Sequence, residues 1–252
     1  MTKVIFLGTG TSTGVPEVGC GCEVCTSENR KDKRLRTSIL VIHEGKHILI
    51  DCGPDFRYQM LRSGNKRIDG VVITHEHYDH TAGLDDLRPF CKEHPVRVYA
   101  EPDVTQKLRT RMPYCFREVH LPGTPNLQLC DIDLVPFEVE GVTVTPVRLL
   151  HGKLPIMGFR IGDVAFLTDL SEIPESEYDK LKDVEVLIIV ALRKKKHIAH
   201  QNLEEALAQI ARIQPKRSFL IHSSHHLGLH DDIVKELPEN VFLSYDGLEI
   251  EI

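Results

Sequence analysis

Seven consecutive residues, Thr74-His75-Glu76-His77-Tyr78-Asp79-His80, place three imidazoles and the Asp79 carboxylate directly after the apolar run Val71 to Ile73. That run has the composition of a strand. No other feature limits the fold as much. In an extended chain side-chain direction repeats every two residues, so His75 and His77 project to one side. Asp79 and His80 then fall where the chain turns toward the helix-spaced stretch Leu84 to Glu93. An imidazole pair and a carboxylate–imidazole pair at one strand end can serve two adjacent cations, and such ligands suit Zn²⁺, Mn²⁺ or Fe²⁺.

Short β-rich runs recur between Gly, Pro and Asp: Val4–Leu7, Ser38–Ile42, His47–Ile50, Val96–Tyr99, Val142–Val147, Val164–Leu167, Val186–Val190, Ser218–Ile221 and Val241–Leu243. Helical spacing appears at Phe56–Arg62, at Leu84–Glu93, and best at Asn202–Ile213, where Leu203, Ala206, Leu207 and Ile210 share a face and Asn202 suits the cap. The pattern predicts an α/β fold with helices outside sheets. The stretch Met112 to Asp131, with three prolines and little periodicity, reads as a long loop or a lid. No repeat or linker shows, and 252 residues read as one domain over 1–252.

A net charge of −6 disfavours broad binding to nucleic acid but leaves room for a small anion held by local cations. The first apolar run is too short for a signal peptide and no stretch suits a membrane span, so a cytoplasmic protein is expected. Seven cysteines, an odd number, favour reduced thiols over a disulfide framework. Three of them, Cys20, Cys22 and Cys25, have the spacing C-x-C-x2-C, which suits zinc; a structural zinc needs a fourth ligand from elsewhere. His225 is the candidate, with His226 beside it.

His75-x-His77-x-Asp79-His80 resembles the signature of the metallo-β-lactamase superfamily. Further landmarks follow in that family's order: Asp51-Cys52-Gly53, then His151, Asp169 and His222. The resemblance implies an αββα sandwich of two mixed sheets with helices on the outer faces. It implies one metal on His75, His77 and His151, a second on Asp79, His80 and His222, and Asp169 bridging both. Asp51 would support the metal loop without ligating.

The Cys-rich loop, the paired-metal motif and the late His-x2-His together resemble the phosphodiesterases that open phosphoribosyl 1,2-cyclic phosphate in phosphonate breakdown, relatives of ribonuclease Z. That likeness implies two active-site cations (Zn or Mn), a structural zinc on Cys20, Cys22, Cys25 and His225, and His200 and Asp79 as catalytic residues. The expected activity is hydrolysis of a small phosphodiester by water activated between two metals, in a protein able to form a homodimer. A ribonuclease Z-like nuclease and a thioester or lactone hydrolase are alternatives within the fold, and a metal-stabilised binding protein is one outside enzymes. Gly8 to Gly14 lacks a P-loop lysine and reads as a hydroxyl-rich turn near the site. The basic run Arg193–Lys196 reads as a solvated face or an outer phosphate contact. His226 and His230 receive no role.

Overall fold

The computed structural model describes residues 1–117 and 123–252; positions 118–122, inside the stretch read above as a loop or lid, lie outside the described residues. Fourteen strands follow in chain order: β1 (Thr2–Gly8), β2 (Ser38–His43), β3 (Lys46–Ile50), β4 (Gly70–Val72), β5 (Val96–Ala100), β6 (Leu127–Asp131), β7 (Phe137–Val139), β8 (Val142–His151), β9 (Leu154–Ile161), β10 (Val164–Leu167), β11 (Val186–Val190), β12 (Arg217–Ile221), β13 (Val241–Leu243) and β14 (Glu249–Glu251). The α-helices are α1 (Glu23–Thr26), α2 (Phe56–Ser63), α3 (Tyr78–Thr81), α4 (Pro102–Arg111), α5 (Leu203–Ile213) and α6 (His230–Glu236).

The strands form two seven-stranded sheets, ordered β14-β1-β2-β3-β4-β5-β6 and β13-β12-β11-β10-β9-β8-β7. In the first, β14 through β3 pair antiparallel and β3 through β6 parallel. In the second, β7 through β10 pair antiparallel and β10 through β13 parallel. Both sheets thus share one pairing pattern, three antiparallel pairs and then three parallel ones, although β14 joins the first from the far end of the chain.

Alternation along β1 explains the layers. Val4 and Phe6 face the second sheet and pack with Ile39, Ile48, Phe159 and Phe166. Ile5 and Leu7 face outward, in a layer with Phe56 and Met60 of α2 and Val104 and Leu108 of α4. On the other sheet Leu149, Leu167 and Leu187 pack with Ala206, Leu207 and Ile210 of α5. Strands covered on both faces lose the polar half of their alternation, which is why they read as unbroken apolar runs. The result is the expected αββα sandwich. Among the described residues no helix is long and apolar enough to cross a membrane.

Several elements depart from the sequence reading. Leu127–Asp131, placed in the loop, is β6, paired in parallel with β5. The stretch Leu84–Glu93 is a 3-10 helix over Leu84–Phe90 and not an α-helix; Pro89 sits inside it, and proline lacks the N–H that an α-helix would use. The run from Val142 continues to His151, because β9 pairs with it from Val144 to His151. Helix α4 was not foreseen: it buries only Val104, Thr105 and Leu108, too few to give a periodic signal.

Candidate metal centre

The site lies where strands end. Asp51 follows β3, His75 and His77 follow β4, Asp79 and His80 lie in α3, His151 closes β8, Asp169 follows β10 and His222 follows β12. His200 lies between β11 and α5. One ligand atom each from His75, His77 and His151 lie within 4.8 Å of one another, and the same holds for Asp79, His80, Asp169 and His222. Asp169 forms a third such group with His151 and His200, so its carboxylate adjoins both sets. Its Oδ2 is 3.3 Å from His80 Nε2 and its Oδ1 is 3.1 Å from His222 Nε2. Asp79 Oδ2 is 3.1 Å from His80 Nε2.

Hydrogen bonds behind the rings decide which nitrogens face inward. His80 donates from Nδ1 to Asp51 Oδ2 at 2.6 Å, leaving a lone pair on Nε2. His151 donates from Nδ1 to the Ala199 carbonyl at 2.8 Å, with the same consequence. Thr37 Oγ1 donates to the Gly10 carbonyl at 2.9 Å, so His222 Nδ1, 3.0 Å from that oxygen, must be the donor to it. Thr74 Oγ1 donates to Asp51, so His75 Nδ1, 2.9 Å away, donates to Thr74. His75 Nε2 is thereby an acceptor facing His77 Nδ1 at 2.9 Å. Each outer partner turns its imidazole into a ligand aimed at the centre.

Charge points the same way. Asp51, Asp79 and Asp169 are all buried. Buried carboxylates persist only with cations or donors around them. Burial holds His75 and His222 below the usual histidine range, which keeps them in the neutral form that binds metal. At His80 burial pulls the same way, but Asp169, Asp79 and Asp51 outweigh it and raise the pKa: the three carboxylates call for positive charge at Nε2, a proton or, in its place, a metal cation. Among the described residues His200 Nδ1 is buried with no hydrogen-bond partner, and His80 Nε2, facing two carboxylate oxygens, makes no well-aligned hydrogen bond to either. Such orphans are rare and call for an explanation. Divalent cations fit this donor set of imidazoles and carboxylates.

The backbone is strained where it delivers these groups. Asp51, Asp169 and His222 have φ of 62°, 58° and 58°, the left-handed region that L-residues avoid, each just beyond a strand. Gly53 has a packing reason: a Cβ there would come within 2.0 Å of the Asp79 carbonyl. From behind, Arg111 of α4 donates to the Glu76 carbonyl and Thr81 Oγ1, both at 3.0 Å, and Lys107 pairs with Glu76 at 2.7 Å. Sequence reasoning missed Thr37, Thr74 and Arg111. Only Thr74 had a local signal, its place beside His75.

His200 stacks near His151 and His222, with ring centroids 4.5 and 5.2 Å apart, and its Nδ1 is 3.7 Å from Asp169 Oδ1. Burial lowers its pKa to about 3, which favours the neutral imidazole, able to donate one N–H. The Gly8–Gly14 turn does adjoin the site: Thr11 Oγ1 is 3.3 Å from His222 Nε2. Arg193 donates to the Lys195 and Lys196 carbonyls and Lys194 pairs with Glu236, so these two shape their own loop.

A second cluster lies apart from the first. Ligand atoms of Cys20, Cys22, Cys25 and His225 fall within 4.8 Å of one another, and His226 is outside the group. Cys25 Sγ is 3.1 Å from His225 Nδ1. Cys22 is exposed, on the loop that leads into α1.

The family model for the beta-lactamase superfamily domain matches residues 46–223. The crystal structure of a diphosphatase from the PhnP family superposes with a TM-score of 0.93 at 36% identity, covering 100% of this chain and 98% of that one. Zn²⁺-bound PqqB from Methylobacterium extorquens has a TM-score of 0.78 at 20% identity, covering 99% and 100%, and shows the shared fold. Among curated proteins, an octanoyltransferase of Porphyromonas gingivalis is 50% identical over 250 residues, 98% of this chain and 51% of that protein. The chain spans about half the length of the curated relatives it matches.

Proposed function

The chain belongs to the beta-lactamase superfamily and, within it, to the PhnP family, and we propose that it is a metal-dependent hydrolase that cleaves a small phosphodiester of the phosphoribosyl 1,2-cyclic phosphate type. The observation that carries this is the placement of Asp169 against both ligand sets. In our reading His75, His77 and His151 hold one cation, Asp79, His80 and His222 the other, and Asp169 both. When bound, such a pair lowers the pKa of water toward neutrality and neutralises charge on phosphoryl oxygens. Burial pushes the Asp79 carboxyl up, and the facing His80 and His222 more than reverse this, so Asp79 is suited to ligate and orient water, not to keep its proton. His200, a neutral donor beside Asp169, is placed to hydrogen-bond the departing oxygen. Cys20, Cys22, Cys25 and His225 hold a structural zinc.

A second reading has a specific support: the 36% identical relative is described as a diphosphatase, which cleaves a P–O–P linkage. The same site chemistry serves both, since each reaction displaces an oxygen from a phosphoryl centre. Octanoyl transfer is the printed activity of a protein about twice this chain's length. Among the described residues the His/Asp cluster consists of imidazoles and carboxylates, ligands suited to metals that activate water. A panel of a five-membered cyclic phosphodiester, a diphosphate ester, a precursor transfer RNA and a thioester, assayed with Zn²⁺ and with Mn²⁺, tests the reading. Turnover of the cyclic ester is expected. Cleavage of the thioester alone sinks the proposal, and preference for the diphosphate selects the second reading.

A further inference from the structure

His226 has no part in the paired site, yet it meets the cysteine cluster through one hydrogen bond. His225 turns Nδ1 toward the thiols, 3.1 Å from Cys25 Sγ, and its Nε2 lies 2.9 Å from His226 Nε2. A neutral imidazole that ligates through one nitrogen carries its proton on the other. His225 bound through Nδ1 therefore has a proton on Nε2, and the atom in place to accept it is His226 Nε2. His226 is exposed, so its own Nδ1–H meets water.

The acceptor ring is held by backbone. His226 N donates to Ser224 Oγ at 3.3 Å, and Ser224 Oγ donates to the Leu192 carbonyl at 2.9 Å. Ser224 N also donates to that carbonyl at 2.9 Å, which ties the turn to the end of β11. The two rings stand nearly perpendicular, at 87°.

The geometry points to His226 as a positioning residue for a thiolate-rich metal site: by accepting the Nε2–H of His225 it fixes that ring's tautomer and strengthens Nδ1 as a ligand. This rests on the cysteine site proposed above. Outer partners of metal-bound histidines are worth roughly 10–100-fold in metal affinity.

Cobalt(II) separates the two clusters, because thiolate-to-cobalt charge-transfer absorption arises only where sulfur ligates. The full-length chain is loaded with cobalt and titrated with a competing chelator while that absorption is followed. His226→Ala is expected to weaken retention at the cysteine site about 10–100-fold. His226→Gln, whose side-chain carbonyl accepts the same proton, is expected to recover most of it. Equal retention in wild type and His226→Ala overturns the role of His226. Equal weakening in both variants overturns the hydrogen bond as its cause. A wild-type protein with no thiolate band overturns the cysteine site itself and this inference with it.

Discussion

Asp51 gives the sharpest test of how the paired site is built. Its carboxylate accepts hydrogen bonds from three donors: His80 Nδ1 at 2.6 Å, Thr74 N at 2.8 Å and Thr74 Oγ1 at 2.9 Å. The residue is fully buried, so water cannot replace a lost partner. Asp51→Asn keeps the shape, and asparagine tolerates the φ of 62°. An amide, however, has one acceptor oxygen and one donor group. Whichever way it turns, its NH₂ confronts either the His80 ring or the Thr74 amide. One buried donor left unpaired costs roughly 1–3 kcal/mol. If the conflict falls on His80, its tautomer is no longer fixed, and affinity for the second cation should drop about 10–100-fold, or roughly 1.4–2.8 kcal/mol. Metal content after dialysis against a buffered chelator reads this directly. Hydrolysis should be low at limiting metal and largely restored by excess. A variant that keeps wild-type stability as well as wild-type metal content and rate at limiting metal would refute the assignment of Asp51 as the outer partner of His80.

Three further outcomes follow. His200→Ala should retain its metals while hydrolysis falls about 10²–10³-fold, the range for removing one hydrogen-bond donor to a developing negative charge; full metal with an unchanged rate removes His200 from the chemistry. Cys22→Ser should lose one zinc per chain and melt at lower temperature with the paired site still assembled, because bound structural metal adds to folding stability; elemental analysis showing no change ends the idea. His230, held by burial and by Arg34 at a pKa of about 4, takes up its proton later than the unfolded chain does. Its contribution is therefore complete above pH 6.5 and is lost as pH falls toward 4. Urea unfolding at pH 7 and pH 5 should show a pH-dependent loss about 2 kcal/mol larger in wild type than in His230→Gln; equal losses contradict it.

What the sequence alone determined was local. The spacing of His75, His77, Asp79 and His80 needs only a strand end and one turn, and the core strands declare themselves because burial on both faces leaves them continuously apolar. Elements that bury little left no such signal: α4, with three buried positions, and β6, half exposed along its length. Tertiary structure alone brings Asp169, His151 and His222 to that strand end, since they come from three other strands across the sandwich. It alone supplies Thr37, the Ala199 carbonyl and the Asp51 carboxylate that takes the proton of the Thr74 hydroxyl, and these hydrogen bonds select the inward-facing nitrogens. A side chain can announce that it is able to bind a metal; which of its atoms is free to do so depends on what lies behind it, and that neighbour is set by packing between residues far apart in the chain.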